Sequence, residues 1–189
     1  MKKTRTIPFR RKREGKTNYK SRIRLLLSKK PRLVIRKTLK NITAQIIEFD
    51  PKGDRILAAA SSKELRKKGW KVHGGNLVTG YLVGLSLANK IKGKVGDLVL
   101  DLGLQTAAKG CNLYGVLKGV IDGGLKVPHS PDILPDENRV KGKHIAEYAK
   151  KIKEDKAKYE KQFSQMIKEG IDPEKIETYF EDMKKNVGA

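Results

Sequence analysis

Cysteine is nearly absent from this 189-residue chain. Cys111 stands alone, so no intrachain disulfide can form, and a reducing compartment is expected. Aromatic residues make up 6% and hydrophobic residues 38%. That is enough for one modest core in a domain of ordinary size and too little for two. No apolar run is long enough to cross a bilayer: the most apolar stretch, Leu77 to Ala88, is broken by Gly80 and Gly84 and falls short of the roughly 20 residues a membrane helix needs. Met1-Lys2-Lys3-Thr4-Arg5 has the charge of a signal-peptide start. Arg10-Arg11-Lys12-Arg13 follows where an apolar segment would be required. A soluble, cytoplasmic protein with no membrane attachment is the expectation.

Enzymatic signatures are missing too. Gly75 and Gly80 have phosphate-loop spacing, but Tyr81 stands where the lysine belongs, and a helix entry explains the pair better. Asp97, Asp101 and Asp122 are the only core carboxylates that could serve a magnesium-dependent nuclease. They do not form a recognisable set and are expected to be caps and turn residues. His73, His129, His144 and Cys111 lack metal-ligand spacing; each is expected to be structural, and His73, beside Lys71 and Gly74-Gly75, is the one that could also meet a partner. No catalytic residue, metal, cofactor or small-molecule substrate is expected.

What the chain has in excess is positive charge, with a net charge of +22. Residues 1–40 carry 17 Lys and Arg and a single acid, Glu14. Such a surface repels itself until it meets a polyanion, and its concentration at one end describes a binding arm. Arginine offers phosphate a planar fork of donors and can stack on bases, whereas lysine supplies a point charge. No helix-turn-helix or zinc-finger spacing points to sequence-specific DNA. Tyr19, among these cations, could stack on a base or pack under its helix. Lys29, Lys30, Arg32, Arg36, Lys37 and Lys40 carry the charge onto the strand that follows.

The apolar pattern predicts an α/β protein. Residues 1–16, with almost nothing to bury, read as a basic arm that is disordered when alone. Thr17 or Asn18 caps a helix reaching about Ser28, with Ile23, Leu26 and Leu27 on one face. Three strands in an antiparallel meander follow, Arg32 to Thr38, Ile42 to Phe49 and Arg55 to Ala60, then a brief helix that stops at Gly69. A core helix is predicted from Asn76 to about Lys92, a buried strand from Asp97 to Leu102, and a second core helix from Asn112 to Asp122. The buried strand should join the meander through a right-handed crossover, parallel to one meander strand. The result is a mixed sheet with helices packed over it. Pro128, Pro131 and Pro135 mark a connection over 127–139. The remainder is helical, with one long stripe from Ile145 through Met166 and a last helix restarted at Asp172-Pro173. Three segments are therefore expected: arm 1–16, core 17–140 and C-terminal extension 141–189.

Several stretches together resemble the large-subunit ribosomal protein eighteen family. They begin with Phe9-Arg10-Arg11-Lys12-Arg13-Glu14-Gly15-Lys16-Thr17-Asn18-Tyr19, Arg22-Ile23-Arg24-Leu25-Leu26 and Pro31-Arg32-Leu33-Val34-Ile35-Arg36. They continue through Ala44-Gln45, Gly74-Gly75-Asn76, Asp101-Leu102-Gly103-Leu104, Leu117-Lys118-Gly119 and Asp122-Gly123-Gly124-Leu125. Val127-Pro128-His129-Ser130 and His144-Ile145-Ala146-Glu147-Tyr148 complete the set. Cys111-Asn112 departs from the small residue and base expected there. The helical tail is similar to the longer archaeal and eukaryotic members. The resemblance implies a ribonuclease H-like order of elements without the active-site carboxylates. It also implies a non-catalytic protein that binds 5S ribosomal RNA, helps attach it to large-subunit ribosomal RNA in the central protuberance, and neighbours the other 5S-binding ribosomal protein. Carried over onto this chain, Arg5, Arg10, Arg11, Lys12, Arg13 and Lys16 of the arm should face RNA, with Asn18, Tyr19, Arg22 and Arg24 of the first helix and Arg32, Arg36 and Thr38 of the first strand. A general RNA chaperone or nucleoid-type binder is the alternative.

Overall fold

The computed structural model describes residues 6–188. A short turn of helix, α1 (Arg10–Arg13), precedes α2 (Tyr19–Leu26). The strands β1 (Arg32–Lys37), β2 (Ile42–Glu48) and β3 (Arg55–Ser61) lead into α3 (Ser62–Lys67) and α4 (Leu77–Ile91). Then come β4 (Val99–Asp101) and α5 (Asn112–Asp122). The chain finishes with α6 (Glu137–Lys141), α7 (Lys143–Ile152), α8 (Lys156–Lys168) and α9 (Ile176–Gly188).

The described strands form one sheet in the order β3-β2-β1-β4. β1 pairs antiparallel with β2, and β2 with β3, while β4 lies parallel to β1 with Leu33 opposite Leu100. The meander and the parallel crossover strand are thus both present. β4 is shorter than the apolar run suggested. The Leu98 amide donates to the Lys126 carbonyl, outside the sheet, and Gly103 turns the chain with φ +66°.

Leu33 and Ile35 of β1, Ile42, Ala44 and Ile46 of β2 and Ala60 of β3 join the hydrophobic core, and α4 packs on this face of the sheet. Helix α4 is apolar nearly all round and is buried accordingly. Its second neighbour is α5, and glycine sets how close the two come. A Cβ on Gly84 would sit 2.1 Å from the Val116 carbonyl oxygen, and one on Gly119 would sit 2.1 Å from that of Tyr81. Each helix supplies a glycine where the other's backbone passes. The capping chemistry follows the sequence: the Asn76 side chain accepts from the Thr79 amide and the Asn18 side chain from the Ser21 amide.

The tail departs from one long helix. Asp155 accepts from the Lys158 amide and starts α8 afresh, so the apolar stripe folds back on itself between α7 and α8. The proline-rich connection is also partly regular, since α6 begins at Glu137. The last helix closes the core: Phe180 packs against Tyr81 with ring centroids 5.6 Å apart, and Tyr179 stacks on buried Trp70 at 5.0 Å. The Trp70 indole donates to Thr79 Oγ1 at 2.7 Å.

The N-terminal region differs from expectation in two ways. Residues 10–13 form a helical turn, and Phe9 lies 5.2 Å from the Tyr19 ring. Helix α2 ends at Leu26 and buries no residue. Ile23 is 59% and Leu27 75% exposed, because Arg22 is the side chain that turns toward the sheet. Its neighbour along the helix is rotated by about 100° and faces away.

Candidate nucleic-acid interface

On the sheet face opposite α4, β1 presents Arg32 and Arg36 where alternation sends its hydrophobic partners inward. A chain of alternating charges crosses this face. Arg22 Nη2 donates to both oxygens of Asp54 at 2.9 Å. Arg32 donates to Asp54 at 2.6 Å and to Asp101 at 2.8 Å. Arg36 donates to Asp101 Oδ1 at 3.0 Å and to the Asp101 and Ile35 carbonyls at 2.8 Å each. Three cations alternate with two anions, so the array keeps a positive excess. Asp101 also accepts from the Gly103 amide at 2.9 Å, and a Cβ on Gly103 would meet the Arg36 guanidinium carbon at 2.9 Å. The turn after β4 is therefore built to admit that guanidinium.

The array has two ends of different character. Arg32 is 3% exposed, and its Nε is the one buried side-chain nitrogen or oxygen without a partner among the described residues. Arg36 keeps 43% of its side chain in solvent. A cavity of about 590 Å³ opens above the array, lined by Arg11, Lys16, Asn18 and Tyr19 from the arm and α2 and by Arg22, Arg36 and Gly103 below. Its walls are fastened. Arg11 Nε donates to Thr17 Oγ1 at 2.9 Å, and Lys16 pairs with Glu14 at 2.9 Å.

The residues selected from sequence fall into three groups. Arg11, Lys16, Asn18, Tyr19, Arg22, Arg32 and Arg36 share this cleft. Lys12, Arg13, Arg24 and Lys29 are exposed outside it, and Arg10 reaches Glu14 at 3.4 Å from an exposed turn. Two others have structural occupations. Lys30 pairs with Asp97 at 2.9 Å, and this hydrogen bond holds the Asp97 carboxyl below its ordinary range. Thr38 Oγ1 donates to the Asn41 carbonyl across the β1–β2 turn. Arg5 lies outside the described residues. Arg32 is withdrawn from the surface and organises the site from beneath. Sequence reasoning missed Asp54, seen only as a turn residue, because nothing in its local pattern reveals two arginines arriving from 32 and 22 positions away.

The carboxylates considered for chemistry are separately engaged: Asp97 with Lys30, Asp101 with Arg32 and Arg36, and Asp122 with the Tyr81 hydroxyl at 2.9 Å. Burial, then the Asp122 hydrogen bond, pushes the Tyr81 phenol up. Asn112 donates to the Gly75 carbonyl at 2.7 Å, which gives it a fastening role at the start of α5. The exposed His73 ring accepts the Gly75 amide through Nδ1 at 3.1 Å.

An open basic cleft on a small α/β core, lined by arginine forks and an aromatic ring, is the arrangement of a nucleic-acid-binding protein. The chain belongs to the family of ribosomal large subunit proteins 60S L5 and 50S L18, which it matches over residues 3–97 and 94–130. It is 48% identical over 182 residues to the large ribosomal subunit protein uL18 of Methanococcus maripaludis, an alignment that covers 96% of this chain and 94% of that protein.

Proposed function

We propose that this chain is a non-catalytic constituent of the large ribosomal subunit that binds 5S ribosomal RNA and helps attach it to large-subunit ribosomal RNA in the central protuberance, beside the other 5S-binding protein. The observation that carries this reading is the cleft over the alternating charge array, where Arg11, Lys16, Arg22 and Arg36 surround one cavity with Tyr19 on its wall. In this scheme residues 1–16 are the arm, 17–140 the core that holds it in register, and 141–189 an extension.

The mechanism follows from the shape of RNA. A-form duplex hides its major-groove edges, so contacts go to phosphates, 2′-hydroxyls and unstacked bases. Arg36, half in solvent, offers a fork already aimed by Asp101. Phosphate meets a guanidinium whose rotamer is fixed, so less side-chain freedom is lost on binding. Arm cations release counterions as they engage, which makes affinity steeply salt-dependent.

The test is competition. At raised salt the protein should retain its preference for 5S RNA over an equal length of random RNA. Loss of that preference would leave only a general RNA chaperone.

A further inference from the structure

A second basic cleft is lined by other residues than the first. Between Ser62 and Gly75 the sequence holds five bases, Lys63, Arg66, Lys67, Lys68 and Lys71, against one acid, Glu64. Glu64 is itself occupied by Lys90. Lys63, Arg66 and Lys67 from α3 line a cavity of about 540 Å³ with Lys40 from the β1–β2 turn, His73 and, from α8, Gln165. Among the described residues none is shared with the cleft over the charge array, and no carboxylate lines this one. Among the described residues Lys40, Lys63 and Lys67 have no acidic partner; Arg66 pairs with Glu169 at 2.7 Å.

The cleft is rigidly framed. Buried Ser62 takes the Ile42 amide on its hydroxyl oxygen and donates to Asn41 Oδ1, both at 3.2 Å, which ties α3 to the β1–β2 turn. Gly74 packs so closely that a Cβ would lie 2.6 Å from the Lys40 carbonyl oxygen and 2.9 Å from Ser62 Oγ. Because His73 Nδ1 accepts the Gly75 amide, the proton of the neutral ring sits on Nε2, and the exposed ring offers a donor. Unpaired lysines around a fixed concavity, with a ring N–H and a side-chain amide at the rim, suit phosphates and 2′-hydroxyls; a protein partner would have to bring acids enough to neutralise at least three free lysines.

We propose that this cleft is a second RNA-binding site, which takes the backbone of an RNA segment other than the one held by the arm, and that α8 contributes its wall. The C-terminal extension then serves RNA binding through Gln165 and through Glu169, which positions Arg66. The proposal adds a site to the function proposed above and stands on different residues.

Binding is measured for the full chain with two probes, a 5S RNA transcript and a large-subunit ribosomal RNA transcript. The measurement is repeated with the protein already held on immobilised 5S RNA. Lys63→Ala/Lys67→Ala should leave 5S affinity unchanged and lower capture of the large-subunit transcript, with its salt slope reduced by about two units because two phosphates are no longer neutralised. Lys68→Ala, outside the cleft, is the charge control and should change neither by as much. Gln165→Ala should weaken capture with no change in slope. Unchanged capture by the double variant overturns the proposal, as does an equal loss on both RNAs, which would make the cleft part of the first site. A wild-type chain without 5S preference would sink the function proposed above but leave the solution comparison on the large-subunit transcript readable.

Discussion

Helices α2 and α4 both announce themselves through apolar side chains at helical spacing, and they have opposite fates. Helix α4 buries almost every residue between the sheet, α5 and α9. Helix α2 buries none and is docked by Arg22 on Asp54. Periodicity reports that a segment can be a helix; it does not report what the helix rests on. In α2 an ion pair decides which face turns inward, and Ile23 and Leu27 are left in solvent. In α4 packing decides everything, down to the glycines that set the distance to α5. One region is held by ion pairs and keeps an excess of positive charge, and the other is complete in itself.

That contrast can be broken most severely at the arm. Removing residues 1–16 should leave the melting temperature of the core nearly unchanged and weaken RNA binding strongly. The salt slope should flatten by roughly 0.7–0.9 for each phosphate that is no longer neutralised. Equal RNA affinity and slope after truncation would move the binding site elsewhere. Next in size is Arg32→Ala, which crosses the boundary between the two regions. It leaves Asp101 buried beside only Arg36 and should destabilise the fold by about 3–5 kcal/mol, read by urea denaturation; a loss confined to RNA binding would put Arg32 on the surface after all.

Gly119→Ala sharpens the other side. Its methyl must displace the Tyr81 carbonyl of α4, at a cost of about 1–3 kcal/mol in stability, with RNA affinity per folded molecule unchanged. Tyr19→Ala isolates stacking from charge. If the ring takes an unpaired base in place of Phe9, binding should fall by about 1–3 kcal/mol with the salt slope intact, whereas Arg24→Ala should lower the slope by about one unit if Arg24 sits on a phosphate. A melting temperature that drops for Tyr19→Ala without an RNA defect assigns the ring to its packing on Phe9 alone.

The smallest effect belongs to the exposed Lys30–Asp97 pair. Asp97 is held below its ordinary value by Lys30, so its contribution is present above the ordinary carboxylate range and is lost as pH falls through the lowered value. Asp97→Asn should leave stability at neutral pH almost unaltered and remove a slight part of the acid limb of the stability curve.

Much of the fold was legible because local signals agreed with tertiary ones. The alternation of β2, Asn76 at the start of α4 and Gly123-Gly124 directly after α5 each name an element or its end. The break in the tail was hidden because Tyr159, Phe163 and Met166 continue the period of Ile145 and Ile152, while the capping signal at Asp155 sits in a charged run. The first cleft was legible as charge but not as geometry. Composition cannot say that Arg32 is buried and Arg36 is not, since that depends on Asp54 and Asp101, which are distant in the chain. The second cleft is hard to read from composition because acids elsewhere between residues 41 and 140 offset the bases of α3.

The Arg32–Asp101 ion pair joins residues 69 positions apart, and the parallel pairing of β1 with β4 has the same long reach. Such pairings close late, after the intervening loop has lost its freedom. On a chain growing from its N-terminus, Arg22 and Arg32 can meet Asp54 once the meander exists, but Arg36 waits for Asp101 to be synthesised. A nascent protein therefore passes through an interval in which its most basic segment is present and half its neutralising partners are not. In that interval Arg36 lacks the carboxylate and carbonyl that later aim it, so any polyanion at hand meets a guanidinium of free rotamer, and the order of synthesis makes indiscriminate capture a hazard of this fold's birth that the finished sheet reduces by fixing the direction of the fork.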